Sequence, residues 1–184
     1  MADEAGMRRG HLPAAIMLMG VSGCGKSTTG ENLAAELGWP FRDADSFHPP
    51  ANIEKMSRGT PLTDEDRWPW LAAIGAWIDE RLANGDPGVV SCSALKRTYR
   101  RFLLESRPNV RLVYLKGELP LIAGRMARRM NHFMPPALLE SQFEALEEPD
   151  VSEWPIVVPI DTSPRRIVEF ILADMAQTGS YWRE

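Results

Sequence analysis

Gly20-Val21-Ser22-Gly23-Cys24-Gly25-Lys26-Ser27 reads G-x-x-x-x-G-K-S, and it stands directly behind the apolar run Ala14-Ala15-Ile16-Met17-Leu18-Met19. An apolar run of this length that ends in glycine predicts a buried strand entering a phosphate-cradling loop. The glycines let the backbone turn its N–H groups inward around a polyphosphate. Lys26 can reach the β- and γ-phosphates, and the Ser27 hydroxyl can hold Mg2+. A helix starting near Lys26 adds the positive end of its dipole. Leu33, Ala34 and Leu37 give that helix an apolar stripe, and Gly38 gives it a stop. Residues 20–28, including Thr28, are therefore read as a nucleoside triphosphate site. The open question is where the phosphate goes.

Outward from this loop, strand-like runs alternate with helical patterns. Strands are expected at Trp39–Arg42, Gly88–Cys92, Val110–Leu115 and Ile156–Ile160. Helices are expected at Asn52–Ser57, Trp68–Ala83, Lys96–Glu105, Leu119–Arg129, Pro136–Leu146 and Pro164–Ala176, with Pro69 in a first turn, where proline is tolerated. Such alternation implies an α/β fold, a parallel sheet covered on both faces. The 184 residues make one domain, with residues 1–11 expected to be flexible. Ligands of such sheets bind beyond the carboxyl ends of the strands. The phosphate loop, Asp43/Asp45, Ser91-Cys92-Ser93 and Lys116-Gly117 each follow a strand and should converge on one edge.

Composition excludes several classes. Twenty-one basic residues against 25 acidic ones give a net charge of −4, which does not point to nucleic acid. No apolar stretch is long enough to span a bilayer, and no cleavable leader is read at the N-terminus, so the expectation is a cytoplasmic protein. Cys24 and Cys92 form no C-x-x-C pair and are expected to be free thiols. Cys24, beside a helix N-terminus and Lys26, is expected to lean toward thiolate.

Asp43-x-Asp45 sets two carboxylates on one side of an extended segment near the loop. Phosphoryl transfer to an alcohol needs a group that orients the hydroxyl and takes its proton, and Asp45 suits that role. A turn-initiating aspartate fits the same spacing. His48 follows three residues later. Lys55, Arg58, Arg67, Lys96, Arg97 and Arg100 supply cations to segments that could face an acceptor, where arginine forks clamp a small anion. Arg125, Arg128 and Arg129 share one helical face ahead of residues 130–136. They read as a charged lid over the transferred phosphate, or as a solvated basic face.

These residues together resemble the gluconate kinases of the small P-loop type. The resemblance runs from about residue 14 to residue 172. It is carried by the loop, by Asp45-Ser46-Phe47-His48-Pro49 and by Gly59-Thr60-Pro61-Leu62-Thr63-Asp64-Glu65-Asp66-Arg67-Trp68-Pro69-Trp70-Leu71. Cys92-Ser93-Ala94-Leu95-Lys96-Arg97, His132-Phe133-Met134 and Ser141-Gln142-Phe143-Glu144-Ala145-Leu146-Glu147-Glu148-Pro149 extend it. The resemblance implies a nucleoside-monophosphate-kinase-like fold with a five-stranded parallel sheet, a lid around 125–136 and a tendency to form homodimers. It implies ATP-dependent conversion of D-gluconate to 6-phosphogluconate with Mg2+. Lys26, Asp45 and Arg128 become catalytic. Asp45, His48, Lys55, Arg58, Arg67, Lys96 and His132 become substrate-binding, and Arg125 and Arg128 join the nucleotide side. Ser27 becomes the Mg2+ ligand. The rivals are another small-molecule P-loop kinase, acting on shikimate or a nucleotide, and a non-catalytic nucleotide sensor.

Overall fold

A computed structural model describes residues 13–128 and 136–178. Strand β1 (Ala15–Met19) occupies the centre of a five-stranded parallel sheet in the order β2-β3-β1-β4-β5. The other strands are β2 (Phe41–Asp43), β3 (Gly88–Ser91), β4 (Val110–Lys116) and β5 (Ile156–Pro159). All five residues of β1 are fully buried, the mark of a central parallel strand covered on both faces. Alternation along β1 then sorts its side chains between two cores. Ile16 and Leu18 point into one core with Val89 and Val113, and Ala15, Met17 and Met19 into the other with Val90 and Leu112.

Helices close both faces. The first core is covered by α1 (Lys26–Leu37), α5 (Leu119–Ala127), α6 (Pro136–Ala145) and α7 (Pro164–Thr178) through Leu33, Ile122, Leu139 and Ile171. The second is covered by α3 (Asp64–Asn84) and α4 (Arg97–Leu104) through Leu71, Ile74, Ile78 and Leu103. The short α2 (Pro50–Ser57) lies between β2 and α3 in the chain. Gly30 of α1 faces the Phe41 ring, where a Cβ would meet Cε2 at 2.3 Å. Only glycine lets α1 lie this close to β2, and so beside Asp43.

Two elements depart from expectation. Helix α3 begins at Asp64, four residues before Trp68, because Thr63 and Asp66 form a capping box and Asp64, Glu65 and Asp66 stabilise the positive helix end. Pro69 therefore sits inside the helix rather than in its first turn. The chain after β2 also does not stay extended. Asp43 accepts from the Asp45 N–H at 3.1 Å and caps a 3-10 turn, Ala44–Phe47. Among the described residues no helix is long and apolar enough to cross a membrane.

Candidate active site

The phosphate loop joins β1 to α1. Gly25 caps the helix at φ 102°, in the left-handed region that favours glycine, and places no side chain over the first amides. Gly23, at φ 81°, lies against Met126 of α5, whose Cγ would be 2.7 Å from a Cβ there. Lys26 Nζ donates to the carbonyls of Gly20 and Val21, each at 3.0 Å. Ser27 Oγ donates to Asp43 Oδ2 at 2.6 Å. The 3-10 turn therefore separates two carboxylates that the spacing alone puts together. Asp43 belongs to the loop and its serine, while Asp45 stands open, its side chain 89% exposed. The pair does not act on one side of an extended strand, because the chain turns between them.

His48 lies 4.0 Å from Asp45 and stacks on Trp70 at a centroid distance of 4.5 Å. Burial holds its imidazole below the ordinary histidine range; Asp45 opposes that and Arg67 adds to it. The Trp70 indole N–H donates to the Ala44 carbonyl at 2.7 Å, which fixes the turn carrying Asp45 against α3. Buried Asn52 continues this line, 3.5 Å from His48 Nδ1 and donating to the Asp66 carbonyl at 2.8 Å.

Cations from α2, α3 and the loop before α4 are gathered around two acids of the first α3 turn. Lys55 grips Asp66 at 2.6 and 2.8 Å and holds that carboxyl below its usual range. Lys96 grips Asp64 at 2.8 and 2.9 Å; Tyr99 also donates to Asp64, and Arg67 lies 3.7 Å away. The hydrogen bond from Lys96, then that from Tyr99, depresses Asp64, and Asp64 in turn raises Lys96. Arg67, Lys96 and Tyr99 thus form one cluster, since Arg67 and Lys96 both stand over the Tyr99 ring. Arg58 is not drawn in; it pairs with Glu54 on its own helix and is 72% exposed.

Arg97 and Arg100 do not join this cluster. Arg97 pairs with Asp150 at 2.8 Å. Arg100 is buried, forks onto Glu153 at 2.6 and 2.9 Å, and donates to the carbonyls of Ala94 and Leu95. It pins the loop that carries Lys96, at a position where Ala94 takes φ 42°. The charge pattern alone hides this role, because a clamp for substrate and a clamp for a loop use the same residue type.

A cleft of about 320 Å3 opens beside the loop, lined by Gly23, Gly25, Thr28, Arg125, Arg128 and Pro164 among others. Arg125 reaches the Ile160 carbonyl just past β5. Arg129 and His132 lie outside the described residues. Cys24 is fully buried, which removes it from attack by solutes whatever its position beside the helix end. Burial pushes the Cys92 thiol up to about 12. Both thiols are free. Gln142 of α6 was not singled out by sequence reasoning as a site residue, yet it meets the phosphate loop at Ser22. Only the bare motif Ser141–Pro149 hinted at it.

Comparison with known proteins follows the same lines. A family model described as shikimate kinase matches residues 22–171. A gluconokinase of Gluconobacter oxydans is 44% identical over 163 residues, 89% of this chain and 92% of that one. The crystal structure of a gluconokinase from Sinorhizobium meliloti superposes with a TM-score of 0.83 at 49% identity, over 92% of this chain and 95% of that one. A shikimate kinase from Acinetobacter baumannii, in complex with shikimate, gives a TM-score of 0.55 at 22% identity, over 91% and 94% of the two chains. That last likeness concerns the fold alone.

Proposed function

The chain belongs to the family that the shikimate kinase model describes and, within it, to the gluconokinases, and on that premise we propose which residues carry its reaction. It is an ATP-dependent gluconokinase, converting D-gluconate to 6-phospho-D-gluconate with release of ADP. The observation that carries the choice of acceptor is identity: 44% and 49% with two gluconokinases over nearly whole chains, against 22% with a shikimate kinase.

In the proposed mechanism the loop amides and the α1 N-terminus receive the β- and γ-phosphates. Lys26 exchanges the Gly20 and Val21 carbonyls for phosphate oxygens, and Arg125 of α5 and Arg128 at its C-terminal end cover the nucleotide. Lys96 and Arg67 take the gluconate carboxylate, trading part of their hold on Asp64, while His48 and Lys55 border the polyol. Asp45 orients the terminal hydroxyl. The hydroxyl oxygen bonds to the γ-phosphorus as the bond to the β-bridging oxygen breaks, and Asp45 accepts the released proton late, because the transition state is loose. Arg128 offsets the negative charge on the transferring group.

Ser27 fits a Mg2+ ion, since it offers a hard oxygen donor beside the loop, held in place by Asp43 at 2.6 Å. Bound there with the phosphates, the ion neutralises their charge. Among the described residues no cluster of three acidic, histidine or cysteine side chains could hold a metal alone, consistent with a site that phosphate oxygens complete. The reading extends to a cytoplasmic homodimer with no nucleic-acid or membrane partner, supported by the net charge of −4 and by exposed Trp154, Val157 and Phe170 around edge strand β5.

An ADP-release assay with ATP, Mg2+ and a panel of gluconate, shikimate and AMP tests the assignment. Turnover on gluconate alone is expected. Turnover on shikimate or AMP with none on gluconate overturns it.

A further inference from the structure

The motif Ser141–Pro149 has no part in the mechanism above, yet its polar groups reach across the molecule. Gln142 Oε1 accepts from the Ser22 N–H at 2.7 Å, and its Nε2 donates to Ser22 Oγ at 3.1 Å. One carboxamide thus meets both polar groups of a loop residue 120 positions away in the chain. The Glu147 N–H donates to the Leu95 carbonyl at 2.9 Å, and its carboxylate accepts from the Arg97 N–H. Glu148 accepts from Tyr114 and Lys116 at 3.1 and 2.7 Å. The segment Ser141–Pro149 is therefore bonded to the phosphate loop at one end and to the Lys96 loop at the other.

Ser22 sits within the phosphate loop, two residues after Gly20. Around it, the Cys24 N–H turns back to the Val21 carbonyl and Lys26 takes the Gly20 and Val21 carbonyls. Among the described residues the N–H groups of Gly23 and Gly25 carry no hydrogen bond. With Ser22 held from outside, those donors remain open to a ligand.

We propose that Gln142 is a positioning residue for nucleotide binding: its carboxamide fixes the Ser22 peptide, so that the following amides are preorganised for phosphate, and it seats α6 on the loop. The proposal rests on the loop's reading as the ATP site. Preorganisation lowers the ordering cost of binding. Loss of a two-bond clamp is expected to weaken nucleotide roughly three- to thirtyfold.

The test is calorimetric titration of full-length wild type, Gln142→Met, Ser22→Ala and the double variant with a non-hydrolysable ATP analogue and Mg2+, with KM for gluconate and melting temperature measured alongside. Methionine keeps the volume of glutamine and removes both bonds. Gln142→Met should weaken the analogue by that factor while the gluconate KM at saturating ATP stays within about twofold. Ser22→Ala, which keeps the peptide N–H, should cost less, and the double variant should be no weaker than Gln142→Met. Unchanged analogue affinity in Gln142→Met overturns the proposal. So does a lowered melting temperature with both substrates weakened equally, the result of a merely structural role. Binding is read without the acceptor, so a wild type inactive on gluconate refutes the gluconate reading and leaves this test intact.

Discussion

The phosphate loop and the proposed acceptor mouth share one edge of the sheet, yet they are built from different materials. The loop lies within eight consecutive residues, and main-chain amides do much of its work. The mouth is assembled from α2, α3 and the loop before α4, and its cations arrive already bonded: Lys55 to Asp66, Lys96 to Asp64. A backbone site needs little beyond its own loop to be ready. A side-chain site needs partner carboxylates to hold long flexible cations in place until substrate arrives. Damage to the two regions should therefore read out differently.

The largest contrast is expected from Lys26→Met, which removes a donor from the transferring phosphates. Turnover should fall about a hundred- to a thousandfold with the gluconate KM little changed, as steady-state kinetics will read. On the acceptor side, Lys96→Met should raise the gluconate KM about ten- to a hundredfold, the worth of a charge-assisted hydrogen bond, and leave the ATP KM within twofold. An equal rise in both constants would erase the contrast. Asp43→Ala frees Ser27, and half-saturation by Mg2+ should move to about tenfold higher concentration, as loss of an outer partner of a metal ligand does. A Mg2+ titration of turnover checks it. The smallest effect concerns His48. Its folded pKa lies below the ordinary value, so the unfolded chain binds the proton more readily. Its contribution is complete above about pH 6.5 and is lost as pH falls through the folded pKa. Melting temperature should decline over that interval, and His48→Gln should flatten the decline.

Legibility in the sequence follows the same division. β1, the loop and the Gly38 stop of α1 could be read because their signals are local: an apolar run, spaced glycines, a helix terminator. The alternation of strands and helices carried the parallel sheet with it. The start of α3 is hidden because Trp68 looks like the first apolar position, while the capping box at Thr63 recruits three acidic residues and Arg67 into the helix. Strand spacing puts Asp43 and Asp45 on one side of an extended segment; the 3-10 turn that separates them depends on the Asp43 side chain capping it. Arg97 and Arg100 could not be sorted from Lys96, since their partners Asp150 and Glu153 lie some fifty residues away in the chain. Gln142 is the extreme case, its partner Ser22 lying 120 positions away in the chain.

The central claim is that Asp45 presents a gluconate hydroxyl to a phosphate gripped by the loop. Rapid-quench measurement of a single turnover by wild type and Asp45→Asn, with ATP and gluconate both saturating, tests it most directly. The account predicts that the variant binds ATP with wild-type affinity and forms 6-phosphogluconate at least a hundredfold more slowly. A variant that forms the product at a rate close to wild type would contradict it.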